Sequence, residues 1–178
     1  MAAMFDYHTI VVGTDGSPLA APTVSRAAWL AAHSGADLVI VCAFSELTPR
    51  QEARTATSLG SDAAVGQLPG RAAASSAIVA AVALAEQQGA TSSAALIVEA
   101  EPAAAVLRMA TDRSADLVVV GALRDVGLAE RLLGSVATEV VRRADCEVLV
   151  VRPPREPAGH LLRRKTAADP LPATDPYM

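Results

Sequence analysis

The chain has 178 residues, 52% of them hydrophobic, which is enough for one full-sized core; with only 3% aromatic, that core must be built from Ala, Val, Leu and Ile. A net charge of −4, with basic residues grouped only as Arg142-Arg143 and Arg163-Arg164-Lys165, argues against a nucleic-acid partner, which selects a basic patch or stripe. The two cysteines, Cys42 and Cys146, supply neither a disulfide framework nor a metal-ligand spacing, and read as small apolar residues in a reducing compartment.

Met1–Tyr7 has no basic segment followed by an apolar one, so no signal peptide is expected. Thr9–Gly13 (TIVVG) is a short β-branched run that reads as a fully buried strand. Ser17-Pro18 then predicts a capped helix start, with the helix running to about His33 and Ser34-Gly35 stopping it. Leu38–Phe44 is a second buried strand. Ser45 to Gly70 shows no sustained periodicity and is expected to be a long connection, of the kind that is usually functional or mobile.

An alanine-rich helix is predicted from about Arg71 to Gln88, where Gly89 ends it. Its uncharged run, Ala72–Ala85, is too short and too small-residued to span a bilayer, so the protein is expected to be soluble and cytoplasmic, with no membrane partner. Ala95–Glu99 is the third strand, Pro102 opens a helix over Ala103–Arg113, and Asp116–Gly121 is the fourth strand. A glycine-containing loop leads to Gly134-Ser135 and a helix over Val136–Arg143, and Glu147–Arg152 is the last strand. Strands alternating with helices imply right-handed βαβ units and one parallel sheet covered on both faces, hence an α/β fold. From Pro153 to Met178 a proline-rich polar segment, with one leucine pair at Leu161-Leu162, reads as a disordered tail. A docking helix around His160–Lys165 is the alternative there.

Two loops stand out. Gly13-Thr14-Asp15-Gly16-Ser17 follows the first strand, and the stretch from Gly121 to Ser135 follows the fourth. A helix amino terminus presents unpaired backbone N–H groups and the positive end of a dipole, which suits phosphate. Ser135 can equally be a helix cap, worth about 1 kcal/mol and needing no ligand. Asp15 can accept bonds from sugar hydroxyls or hold a divalent ion, or it can bond its own backbone in a turn. His8, His33 and His160 are scattered without metal spacing, and no dinucleotide fingerprint, phosphate-loop lysine or nucleophile elbow is present. No enzymatic activity is therefore expected, and no candidate base has an evident partner for slow ATP hydrolysis.

TIVVGTDGSP at the start, ADLVVVG before the glycine loop, RLLGSVATEVVRRA after it and EVLVVR at the close together resemble the universal stress protein family over residues 6–152. The segments GTDGS and VGLAERLLGSV look most like its short, single-domain actinobacterial members, among which cyclic-nucleotide binders are known. The resemblance implies a five-stranded parallel sheet in the order 3-2-1-4-5, with a domain over 1–152 and a tail over 153–178. It also implies a homodimer paired through the last strand, Val148–Val151. That strand would be an edge with no blocking proline or lysine.

The implied ligand is an adenine nucleotide, ATP with Mg2+ or cyclic AMP, bound at the switch point of the sheet. The implied binding residues are Gly13, Thr14, Asp15, Ala43, Val120, Gly121, Arg124, Gly134, Ser135 and Val136. Ala43 matches the position whose backbone meets the adenine ring. ATP-binding members share a loop of Gly, two residues, Gly, nine residues, then Gly-Ser or Gly-Thr. Gly121 and Gly134-Ser135 match its ends, but its middle position here is Arg124. A side chain there either reshapes the loop, at roughly 1–2 kcal/mol if the position is left-handed, or offers its guanidinium to phosphate as a bidentate fork. The alternative function is a nucleotide-free dimeric interaction protein whose cleft Arg124 has altered.

Overall fold

The computed structural model describes residues 7–45, 68–122 and 133–152. The 153–178 tail, Arg124 and most of the long connection after Ser45 lie outside the described residues. In chain order the elements are β1 (Thr9–Thr14), α1 (Ala21–Ser34), β2 (Asp37–Ser45), β3 (Leu68–Pro69), α2 (Arg71–Gln87), β4 (Ser92–Glu99), α3 (Pro102–Asp112), β5 (Leu117–Gly121), α4 (Ser135–Arg143) and β6 (Glu147–Val151).

The five long strands lie in the order β4-β2-β1-β5-β6, every pair parallel. Numbered among themselves, that order is 3-2-1-4-5, the architecture of the resemblance. The two-residue β3 is an addition. It pairs with Phe44 and Ser45 at the end of β2, and Gly70 N–H donates to the Ser45 carbonyl at 3.0 Å. So short a strand has no periodicity from which it could be predicted.

Successive side chains of a strand point to opposite faces, and both faces here are buried, which is why the strands read as unbroken apolar runs. Ile10, Val12, Leu38, Ile40, Leu117 and Val119 pack with α1 and α2 on one face. Val11, Val39, Val41, Val118 and Val120 pack with α3 and α4 on the other. The helices contribute mostly alanine: Ala27, Ala28 and Ala31 from α1, Ala74 and Ala85 from α2, and Ala105 from α3 are almost wholly buried. Small residues bring the helices close to the sheet, and the branched strand residues then supply the volume.

Two boundaries differ from the sequence expectation. Helix α1 begins at Ala21, not at Pro18; Ser17 instead closes a turn in which Ala20 N–H donates to its carbonyl at 3.0 Å. Pro22 is the reason. A helix begun at Pro18 would need an N–H at position 22 and would drive the Pro22 ring into the Pro18 carbonyl, whereas near a helix start the missing N–H costs nothing. The helix ends as expected, with Gly35 left-handed at φ 67° and Ala36 N–H bonded to the Ala31 carbonyl. Strand β4 begins three residues before the predicted Ala95, because Ser93 Oγ donates to the Leu38 carbonyl at a bulge in β4, where Ser93 is the extra residue between the Leu38–Ser92 and Val39–Ala94 pairs. Polar residues in a strand give no apolar signal to read.

Candidate functional site

The carboxyl ends of β1 and β5 part company in a defined way. Strand β1 pairs with β2 as far as Thr14–Cys42, and β5 pairs with β6 as far as Gly121–Val151. Their mutual ladder stops earlier, at Val12–Val119. Both strands thus run two residues past their last common rung. Their connections then leave in opposite directions: α1 packs on one face of the sheet and α4 on the other. This is the switch point of an open α/β sheet, where a crevice must form.

The β1 side of the crevice is a tight, self-bonded turn. Thr14 Oγ1 accepts from Gly16 N–H at 3.2 Å, and Asp15 Oδ1 accepts from Ser17 N–H at 2.9 Å. The turn role of Asp15 is therefore realised, and no donor among the described residues bonds to Oδ2. Gly16 is required twice over: its φ is 70°, and a Cβ there would lie 2.6 Å from Ala77 Cβ of α2. Burial, with the charge of Asp15 next in size, pushes the Cys42 thiol up to about 11. Cys42 is thus a protonated, inert core residue, and Asp15 sits near enough to the end of β2 for its charge to be felt there.

On the β5 side, Val120 is buried among the α3 and α4 side chains, and Gly121 is exposed at the strand's end. A Cβ on Gly121 would lie 2.9 Å from Thr23 Oγ1, so this glycine lets the first turn of α1 lie against β5. Gly13 serves the opposite face, where a Cβ would lie 3.1 Å from Val106 Cγ2 of α3. Gly13 and Gly121, two of the implied binding residues, thus have a packing reason as well. Ala43, 4% exposed, is packed among Val41, Ala103 and Val106 on that same face.

At α4 the cap is Gly134, with extended ψ, and Ser135 is the first helical residue. Ser135 makes no capping bond, contrary to its reading as a hydroxyl cap, because Gly134 occupies the N-cap position, from which a side chain would accept the N–H of the second or third helical residue. The first turn carries no acidic residue and no side-chain cap, and Ser135 is exposed. Among the described residues nothing accepts from the first backbone N–H groups of α4, where Val136 is half-buried in the first turn. Together, Gly13, Thr14, Asp15, Val120 and Gly121 stand at the diverging strand ends. Arg124 lies outside the described residues.

The family model for the universal stress protein family matches residues 6–152. The chain belongs to the universal stress protein family. It is 36% identical over 148 residues to the universal stress protein Rv1636 of Mycobacterium tuberculosis, covering 83% of this chain and 98% of that relative. Among solved structures, a universal stress protein in complex with cAMP is 32% identical, with a TM-score of 0.59, covering 83% of this chain and 98% of that one. The universal stress protein from Archaeoglobus fulgidus, 21% identical with a TM-score of 0.59 over 81% of this chain and 93% of that one, shares the fold.

Thr23 is the residue that sequence reading passed over. It is 1% exposed, and Oγ1 has no hydrogen-bond partner, the one such buried side-chain atom among the described residues. The available signal was a hydroxyl placed directly after Pro22 in an otherwise alanine-rich helix. Away from the crevice, a surface groove between α3 and α4 is lined by Leu107, Arg108, Ser114, Arg143 and Cys146. It lies at the opposite, amino end of the sheet, and Arg143 is already paired with Glu139.

Proposed function

We propose that this universal stress protein binds an adenine nucleotide, ATP or cyclic AMP, in the crevice between β1 and β5, and acts in stress response or signalling as a binding protein without catalytic activity. The observation that carries the reading is the parting of β1 and β5 beyond Val12 and Val119, beside a helix α4 whose amino end has no side-chain cap. A mononucleotide laid across that gap would find backbone donors at Ser135 and Val136 for its phosphate and Asp15 Oδ2 for its sugar. The cAMP complex of a relative 32% identical supports a ligand with one phosphate. ATP with Mg2+ rests on the glycine-loop resemblance, which Arg124 interrupts.

Calorimetric titration of the wild type and Arg124→Gly with ATP and with cyclic AMP tests the reading. Saturable binding of one nucleotide per chain is expected. A gain in ATP affinity on Arg124→Gly would mean that the side chain obstructs the loop, and a loss would mean that its guanidinium pairs with phosphate. Silence from both proteins toward both ligands would end the nucleotide reading. The second reading, a nucleotide-free interaction protein, draws on the β1 turn being complete in itself, with Asp15 already bonded to Ser17. It requires that neither nucleotide raise the melting temperature. In either case we infer a cytoplasmic homodimer joined along β6, with residues 1–152 as the functional unit and no nucleic-acid or membrane partner.

A further inference from the structure

A buried hydroxyl with no partner carries a desolvation cost that nothing offsets, so such a group in a native core needs a reason. Thr23 Oγ1 is in that position. The rest of the buried face of α1 is apolar: Val24, Ala27, Ala28 and Ala31 are buried with it. An alanine or valine would have satisfied the packing. Nor does the hydroxyl take the common refuge of a helical threonine, bonding to the carbonyl one turn back, as Thr111 does to Leu107 at 3.2 Å. It is turned instead to Gly121, 2.9 Å from the site of a Cβ there, and Gly121 is one of the two residues by which β5 outruns its ladder with β1.

We infer that Thr23 is a positioning residue of the crevice. Its hydroxyl forms its hydrogen bond to the Gly121 backbone when a nucleotide draws that strand end toward the crevice. Glycine suits this, since with no Cβ its backbone can move by a few tenths of an ångström against the hydroxyl. The bond gained then adds to nucleotide affinity, and the protein accepts lower stability without ligand in exchange. This inference rests on the nucleotide reading above.

The two properties should move in opposite directions when the hydroxyl is removed. Thr23→Val keeps the volume and Thr23→Ser keeps the hydroxyl. For Thr23→Val, the melting temperature without nucleotide is expected to equal or exceed that of the wild type, while the dissociation constant for cyclic AMP or ATP rises at least fivefold. Thr23→Ser should restore wild-type affinity. Unchanged affinity in Thr23→Val, in a wild type that does bind, would overturn the inference and leave the nucleotide reading intact. So would a drop in its melting temperature at wild-type affinity, which would mark the hydroxyl as structural. A wild type that binds neither nucleotide would overturn both together.

Discussion

Gly16 and Gly35 are both left-handed, with φ near 70°, yet their surroundings differ completely. A Cβ on Gly35 meets nothing within 4 Å, whereas one on Gly16 meets the backbone and side chain of Ala77. Gly35→Ala should therefore cost only the conformational penalty, roughly 1–2 kcal/mol. Gly16→Ala should add an overpacking cost and lose about 2–4 kcal/mol in total, as read by urea denaturation. Equal losses would mean that α2 can move away from the β1 turn without strain.

Asp116 tests the other end of the sheet. Its Oδ2 accepts from Thr9 N–H at 2.8 Å and His8 N–H at 2.7 Å, tying the start of β5 to the start of β1. The Thr9 bond first, then the His8 bond, hold its carboxyl below the usual carboxylate range. A pKa depressed by folding contributes stability that is present above the unfolded value of about 3.9 and is lost as pH falls through the folded one. Asp116→Asn should accordingly flatten the acid limb of the stability–pH curve. Its deficit relative to wild type should be full at neutral pH and should shrink below the carboxylate range, as followed by urea midpoints.

At the scale of elements, the sheet's two-sided burial decides which substitutions matter. Ile40, wholly buried in the centre of β2, packs with α1 and α2, while Val79 on the outer side of α2 is 68% exposed. Ile40→Ala should cost about 2–5 kcal/mol, and Val79→Ala should stay within about 0.5 kcal/mol. Chemical denaturation of the two variants checks both. The strands and helices that bury such residues were legible in the sequence, because β-branched runs and alanine-rich stretches differ sharply in composition. What could not be read was an element whose bonds are made by others: β3 exists because Phe44 and Ser45 accept it, and the front of β4 because Leu38 does. The start of α1 was misplaced for a local reason, since Ser17-Pro18 looks like a cap until Pro22 is considered.

The whole molecule leaves β6 with one described neighbour, β5. Glu147 N–H and the Val151 carbonyl both bond to the β5 side, at 3.2 and 2.8 Å. By the alternation of a strand, the backbone groups of Val148 and Val150 then face away from β5, where a second copy would pair. Val150→Pro removes one of those outward donors. It should shift a homodimer toward monomer in sedimentation velocity, while circular dichroism stays unchanged. If the dimer persisted, its contact would have to lie elsewhere on the molecule.

The order of apolar runs, the glycine-bearing loops and their motifs were enough to determine the parallel α/β architecture and the family. These are matters of composition and spacing, and the chain carries them locally. Only the tertiary structure decided what each residue does. It turned Asp15 back onto its own loop, made Gly134 rather than Ser135 the cap of α4, and set Thr23 against Gly121. Residues 23 and 121 are far apart in the chain, and their contact depends on how closely an alanine-faced helix can lie on a sheet. Such a distance is fixed by packing between elements, which no single stretch of sequence contains.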